Sequence, residues 1–302
     1  MSLLKNFRDL IAACEKTSTK RRLAVAAADD EHTLAAVTKA CQISSVSPVL
    51  VGDRVRINSI LDKLGYSPEA FRLFPEEDPV RAAGLAVRLV RDGEADFLMK
   101  GNCQTADLLR EVVNKETGLS KGRLMTHCAL FEIPGFKRLI GVSDGGMVLY
   151  PDLETKKVII ENMVAVFRKF GYENPKVAVL TCVEKVNPSM PETIEAAELA
   201  AMNNRGEIKN CTVAGPISYD IAMDSEVADF KSFAGPVKGD ADILIVPDIH
   251  AGNILGKALL CSAAAEMAGF IVGATVPIVL SSRAASAREK LLSILASYAA
   301  LG

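Results

Sequence analysis

A chain of 302 residues with a formal net charge of −2 at pH 7 offers no general attraction to nucleic acid or anionic membranes, and no long Lys/Arg block alters that. Its 49% hydrophobic composition fills more than one core, so two α/β domains are expected. Seven cysteines (Cys14, Cys41, Cys103, Cys128, Cys182, Cys211, Cys261) are scattered without paired spacing, which argues against a disulfide framework or CxxC metal site and fits a reducing cytoplasm.

Residues 3 to 15 have the apolar spacing of an amphipathic helix and lack a signal peptide's apolar core; no later apolar run is long enough to span a bilayer. Leu23 to Ala28 reads as a buried strand closed by Asp29-Asp30-Glu31-His32, with a helix from Thr33. Val49 to Gly52 repeats the strand, Arg54 to Leu64 the helix, and Pro79 to Arg91 is a further helix. This alternation predicts a parallel sheet. Ala95 to Lys100 is a short strand, Gly101 lets a ligand approach the backbone, and a helix starts near Thr105 and carries Arg110. Lys100 is then a mobile cation at a strand's carboxyl end, beside a helix amino terminus that attracts anions.

After Gly118 the pattern changes. Leu124 to Phe131 and Lys137 to Val142, joined through Ile133-Pro-Gly135, read as an antiparallel hairpin opening a second domain. Glu154 to Phe170 is a helix, Pro175 to Cys182 a buried strand, Thr193 to Asn204 a helix and Asn210 to Ala214 a strand. The chain is organised around two joints near its carboxyl end. Ile243 to Val246 is an apolar strand stopped by Pro247-Asp248 and turned through Gly252-Asn253 into an apolar helix, the kind of joint where open α/β sheets hold ligands. Pro277 to Arg283 ends a short strand with Ser281, Ser282 and Arg283, two hydroxyls and a guanidinium fork suited to an oxyanion. Both joints are expected to face one cleft.

Several chemistries lack their motifs. His32, His127 and His250 have no HxxxH or HxH spacing, so no metal site is expected. Asp144-Gly145-Gly146 does not match GxGxxG and no GxxxxGK[ST] occurs, which removes support for a nucleotide triphosphatase or standard dinucleotide fold. No G-x-S-x-G elbow surrounds the serines near Arg283, so they read as donors. Cys103 and Cys261 are not assigned as nucleophiles.

Four segments in order carry a family resemblance: Thr105-Ala-Asp-Leu-Leu-Arg110, Gly215-Pro-Ile-Ser-Tyr-Asp220-Ile-Ala, Ala241-Asp-Ile-Leu-Ile-Val-Pro-Asp-Ile-His-Ala-Gly-Asn253-Ile and Leu280-Ser-Ser-Arg283. Together they resemble the phosphate acetyl/butyryltransferase family over nearly the whole chain. Lys100-Gly101, Val183 to Met190 and the short length look closer to its butyryl members. The resemblance implies a two-domain α/β fold akin to isocitrate and isopropylmalate dehydrogenases, mainly parallel sheets and an interdomain cleft. The expected domains are 1–123 with 271–302, and 124–270. It also implies a homodimer or higher homo-oligomer, and exchange of a short acyl group between coenzyme A and phosphate. Coenzyme A is then a substrate, with no permanently bound cofactor and no metal.

By position, Ser282 and Arg283 match the family's carbonyl- and phosphate-contacting Ser and Arg, and Arg110 an arginine of the same cleft. The family's proposed base, an Asp seven residues after that Ser, falls on Glu289. Another cleft arginine of the acetyl enzymes falls on Cys261. The catalytic candidates are Ser282, Arg283 and Glu289; the substrate-binding candidates are Arg110, Lys100, Thr105, Ser281 and Asn253. A phosphate acetyltransferase, or a non-catalytic two-lobed binder of an anionic metabolite, are the alternatives. A metal-dependent decarboxylating dehydrogenase of the related fold finds no acidic metal cluster or cofactor motif here.

Overall fold

The computed structural model describes residues 3–120, 122–282 and 284–302, so Arg283 lies outside the described residues. The chain divides into two compact units, one of residues 7–125 and 268–302, the other of residues 1–6 and 126–267.

The first unit opens with α1 (Phe7–Lys16), β1 (Arg21–Ala26), α2 (Glu31–Ile43), β2 (Val46–Gly52), α3 (Arg54–Lys63), β3 (Arg72–Pro75), α4 (Pro79–Arg91), β4 (Phe97–Lys100) and α5 (Thr105–Val113). The expected first helix begins late. Residues 3–6 instead join the other unit, where the Leu4 amide donates to the Phe170 carbonyl at 2.9 Å and the Tyr172 hydroxyl to the Leu4 carbonyl at 3.0 Å. β3 escaped the sequence reading because its four residues are half-exposed and end in proline, which leaves no apolar run to detect.

Aspartates define the helix starts. Asp30, Asp53 and Asp78 accept the free amides of α2, α3 and α4, and Pro79 fills the first turn of α4, where no amide hydrogen is needed. Replacing Asp78 with alanine is expected to cost about 1 kcal/mol of stability, read as a lower urea midpoint.

The other unit contains β5 (Thr126–Glu132), β6 (Ile140–Ser143), α6 (Leu153–Lys169), β7 (Lys176–Leu180), α7 (Pro191–Asn204), β8 (Thr212–Ile217), α8 (Tyr219–Met223), α9 (Ser225–Phe230), β9 (Ile243–Ile245) and α10 (Ile249–Ser262). Its strands lie in the order β5-β6-β9-β7-β8. The β5–β6 hairpin is antiparallel and the other pairings are parallel. Phe131, Ile140, Val142, Ala178, Ile217 and Leu244 contribute to one buried cluster.

The chain then returns to the first unit through β10 (Glu266–Val272), β11 (Ile278–Val279) and α11 (Ala287–Leu301). There the order is β3-β2-β1-β4-β11-β10, parallel except for the β10–β11 pair. The α/β class with mainly parallel sheets is therefore as expected. α11 is buried from Lys290 to Ala299. Among the described residues, no helix is long and apolar enough to cross a membrane.

Candidate active site

Most of the candidate residues belong to the first unit and gather at the carboxyl ends of its parallel strands. Ala26 of β1 stands opposite Lys100 of β4, and Val279 of β11 opposite Met99, so residues 280–282 leave the sheet beside the end of β4. Lys100 is not the mobile cation expected. Only 3% of it is exposed, and its ammonium donates to the Gly101 carbonyl at 3.1 Å. Gly101 also has a different purpose. A Cβ there would stand 2.2 Å from the Ala27 carbonyl oxygen, so the missing side chain admits the neighbouring backbone, to which the Gly101 and Asn102 amides donate at 2.8 and 2.6 Å.

Thr105 is the first residue of α5, and the preceding Gln104 makes no side-chain capping bond, unlike the aspartates before α2, α3 and α4. This helix start therefore keeps donors for an anion. Arg110 lies further along, with its side chain 67% exposed and 3.0 Å from Asp107. An exposed guanidinium paired with a neighbour on the same helix remains available to a substrate, because such a pair is worth only ~0.5 kcal/mol.

On the β11 side, Ser282 is exposed and its hydroxyl accepts from the Ala284 amide at 3.4 Å, a long contact that leaves the O–H free to turn. Ser281 is buried and accepts from the Lys290 ammonium at 3.3 Å. Glu289 sits in the first turn of α11, where Ser286 accepts its amide at 3.1 Å. Burial raises its carboxyl above the ordinary carboxylate range, against a smaller downward pull from Lys290. The structure thus brings Ser281, Ser282 and Glu289 to one end of one sheet with Lys100 and Thr105.

Lys290 was missed by the sequence reading. A signal was present, since α11 is apolar on nearly every side after this position, and a lysine opening such a run has to be buried. Burial pulls its ammonium below the ordinary lysine range, opposed by the Asp30 and then the Glu289 carboxylate. Cys103, also buried, has its thiol raised by burial despite the pull of Lys100, which leaves it unsuited as a nucleophile.

Asn253 belongs to the other unit, and its expected turn is absent. The break comes earlier, at Asp248, which caps α10 by accepting the Ala251 amide at 2.9 Å. Gly252 and Asn253 are both inside the helix. Gly252 is needed for packing rather than turning, because a Cβ there would stand 2.8 Å from Gly145 Cα and 2.9 Å from the Asp144 carbonyl oxygen. Asn253 then donates to the Gly145 carbonyl at 3.2 Å. The loop it meets is held by the buried Asp144 carboxylate, which accepts the His127, Gly146 and Met147 amides at 2.7–2.8 Å. Gly252→Ala should lower stability by about 2 kcal/mol, the overpacking cost exceeding the gain in helix propensity. An unchanged urea midpoint would disprove this packing.

Comparison with known proteins agrees with this architecture. Residues 76–297 match the family model described as phosphate acetyl/butaryl transferase. The chain is 42% identical to a phosphate butyryltransferase of Clostridium acetobutylicum over 292 residues, covering 97% of both chains. It is 45% identical to a phosphate acetyltransferase of Thermotoga maritima over 277 residues, covering 91% of this chain and 93% of the other. The crystal structure of a branched-chain phosphotransacylase from Enterococcus faecalis V583 superposes with a TM-score of 0.83 at 32% identity, covering 93% of this chain and 99% of that one. A match over most of the chain, with relatives this similar over nearly full length, places the chain in the phosphate acetyl/butyryltransferase family.

Proposed function

We propose that the chain catalyses reversible transfer of a short acyl group between coenzyme A and orthophosphate, with butyryl preferred to acetyl. The observation that carries the reaction is the near-full-length likeness to the butyryl enzyme. It is supported by the gathering of Lys100, Ser281, Ser282 and Glu289 at one strand-end rim. Acyl transfer asks for positioning and charge placement, which such a rim supplies.

In the proposed reaction, Arg283 holds phosphate in its guanidinium fork, with Arg110, Lys100 and the start of α5 adding positive potential. A phosphate oxygen attacks the thioester carbonyl, and Ser282 donates to the oxyanion that forms. Collapse expels the coenzyme A thiolate, which takes up a proton. In reverse, Glu289 removes the proton from the coenzyme A thiol, and the thiolate attacks the acyl phosphate.

The acyl preference is a separate matter, because the acetyl and butyryl relatives are similarly identical to this chain. It rests on the butyryl-like Val183 to Met190 segment and on Cys261 in place of an arginine of the acetyl enzymes. Each buried methylene contributes about 0.8 kcal/mol, roughly fourfold, so two should favour butyryl- over acetyl-coenzyme A by roughly tenfold or more in kcat/KM. Thiol release with phosphate across acetyl-, propionyl-, butyryl- and isobutyryl-coenzyme A tests both points. A maximum at acetyl removes the butyryl preference and leaves the reaction standing; no phosphate-dependent release removes the reaction and favours a non-catalytic binder.

The same reading takes the enzyme to be a cytoplasmic homodimer. The seven free cysteines support a reducing compartment. Exposed Leu149, Tyr150 and Ile254, all in the second unit, support self-association.

A further inference from the structure

Lys290 is 3% exposed, and the Ser281 hydroxyl is its hydrogen-bond acceptor at 3.3 Å. Among the described residues it forms no ion pair, although the carboxylates of Asp30 and Glu289 are near enough to influence it. A buried cation without a carboxylate partner carries a desolvation cost that an anionic ligand would offset. The other buried lysine of α-helical origin, Lys156, shows the ordinary solution, an ion pair with Glu195.

Ser281 completes the pattern. Its oxygen is occupied by the Lys290 ammonium, and among the described residues its own hydrogen is donated to no acceptor. Accepting from an ammonium polarises the O–H and turns its hydrogen away from Lys290. Ser281 directly precedes Ser282 in the segment that leaves β11.

We propose that Lys290 is a positioning residue for acyl transfer, anchoring the Ser281 oxygen so that the Ser281 hydroxyl donates to the anionic oxygen of the phosphate or acyl-phosphate substrate. This rests on the phosphate acyltransfer reading above. The lysine acts through the serine, as a fixed charge behind a small donor, and leaves the substrate itself to Ser281, Ser282 and Arg283.

A mutant cycle separates this relay from a merely structural lysine. Phosphate-dependent thiol release from butyryl-coenzyme A is measured for wild type, Lys290→Met, Ser281→Ala and the double variant. Each single change should lower kcat by about tenfold to a hundredfold, the range for a charge-assisted donor, while KM for butyryl-coenzyme A stays within about twofold. The double variant should lose no more than about threefold beyond either single one, because both remove the same bond. Lys290→Gln, which keeps an N–H donor without the charge, should fall between wild type and Lys290→Met. If Lys290→Met does not fold, Lys290→Gln completes the same cycle.

Losses that multiply in the double variant, or a Lys290→Met enzyme within about twofold of wild type, overturn the proposal while leaving the reaction intact. A wild-type protein without phosphate-dependent thiol release overturns the reaction and this role with it, and is seen before any variant is compared.

Discussion

Arg283→Ala is expected to reduce phosphate-dependent turnover about a hundredfold, with most of the loss appearing in the dependence on phosphate. A guanidinium offers two parallel N–H donors to one phosphate, and losing charge-assisted bonds of this kind costs about 1.5–3 kcal/mol before any effect on orientation. Arg283→Lys should recover only part of the rate, since an ammonium supplies a point charge without the planar fork. The position comes directly after Ser281 and Ser282, which leave β11 beside the end of β4. An alanine variant with unchanged phosphate kinetics and an unchanged melting curve would remove Arg283 from the site.

Glu289→Gln should produce the second large effect, a loss of about a hundredfold near pH 6 in the direction that consumes free coenzyme A. The sign comes from the environment of the carboxyl. Burial raises its pKa, so the basic form fills only above the ordinary carboxylate range, and wild-type activity should fall as pH drops through that raised value. Glutamine removes this limb. The variant should then track the concentration of free thiolate and recover part of its rate at high pH. An unchanged pH profile would exclude Glu289 as the base. Two other carboxylates are poor substitutes. Asp220 is pushed down to about 2 by its bonds with Ser218 and then Lys231, and Asp248 is committed to the Ala251 amide.

Segments governed by local chemistry were legible in the sequence. Pro79 to Arg91 forms the helix its spacing predicts, and the 124–142 hairpin arises from an apolar alternation interrupted by Pro-Gly. Three of the failures share a cause, for each depends on a partner distant in sequence. Gly252 reads as a turn because its neighbours are Ala and Asn, yet its role is set by Gly145, more than a hundred residues earlier. Lys100 reads as mobile until the neighbouring strands bury it, and Gly101 reads as ligand space until Ala27 fills it. For the candidate site, strand-end positions were readable from alternation. The bond from Lys290 to Ser281 was not, because it joins the first turn of a helix to a strand exit nine positions earlier, and no local pattern pairs the two.

The split composition of the first unit sets an order of assembly during synthesis. β4 is hydrogen-bonded on one side to β1, which precedes it, and on the other to β11, which is translated far later. Residues 126–267 carry the five neighbouring strands β5-β6-β9-β7-β8 and can pair them once they emerge. Residues 7–125 cannot finish. At about 5–20 residues per second, roughly 10–35 s pass before β11 and α11 arrive. Until then β4 presents an open apolar edge, through Phe97, Leu98 and Met99, to any other nascent strand. The strand beside the candidate rim is therefore a segment that a chaperone would shield while the ribosome is still working.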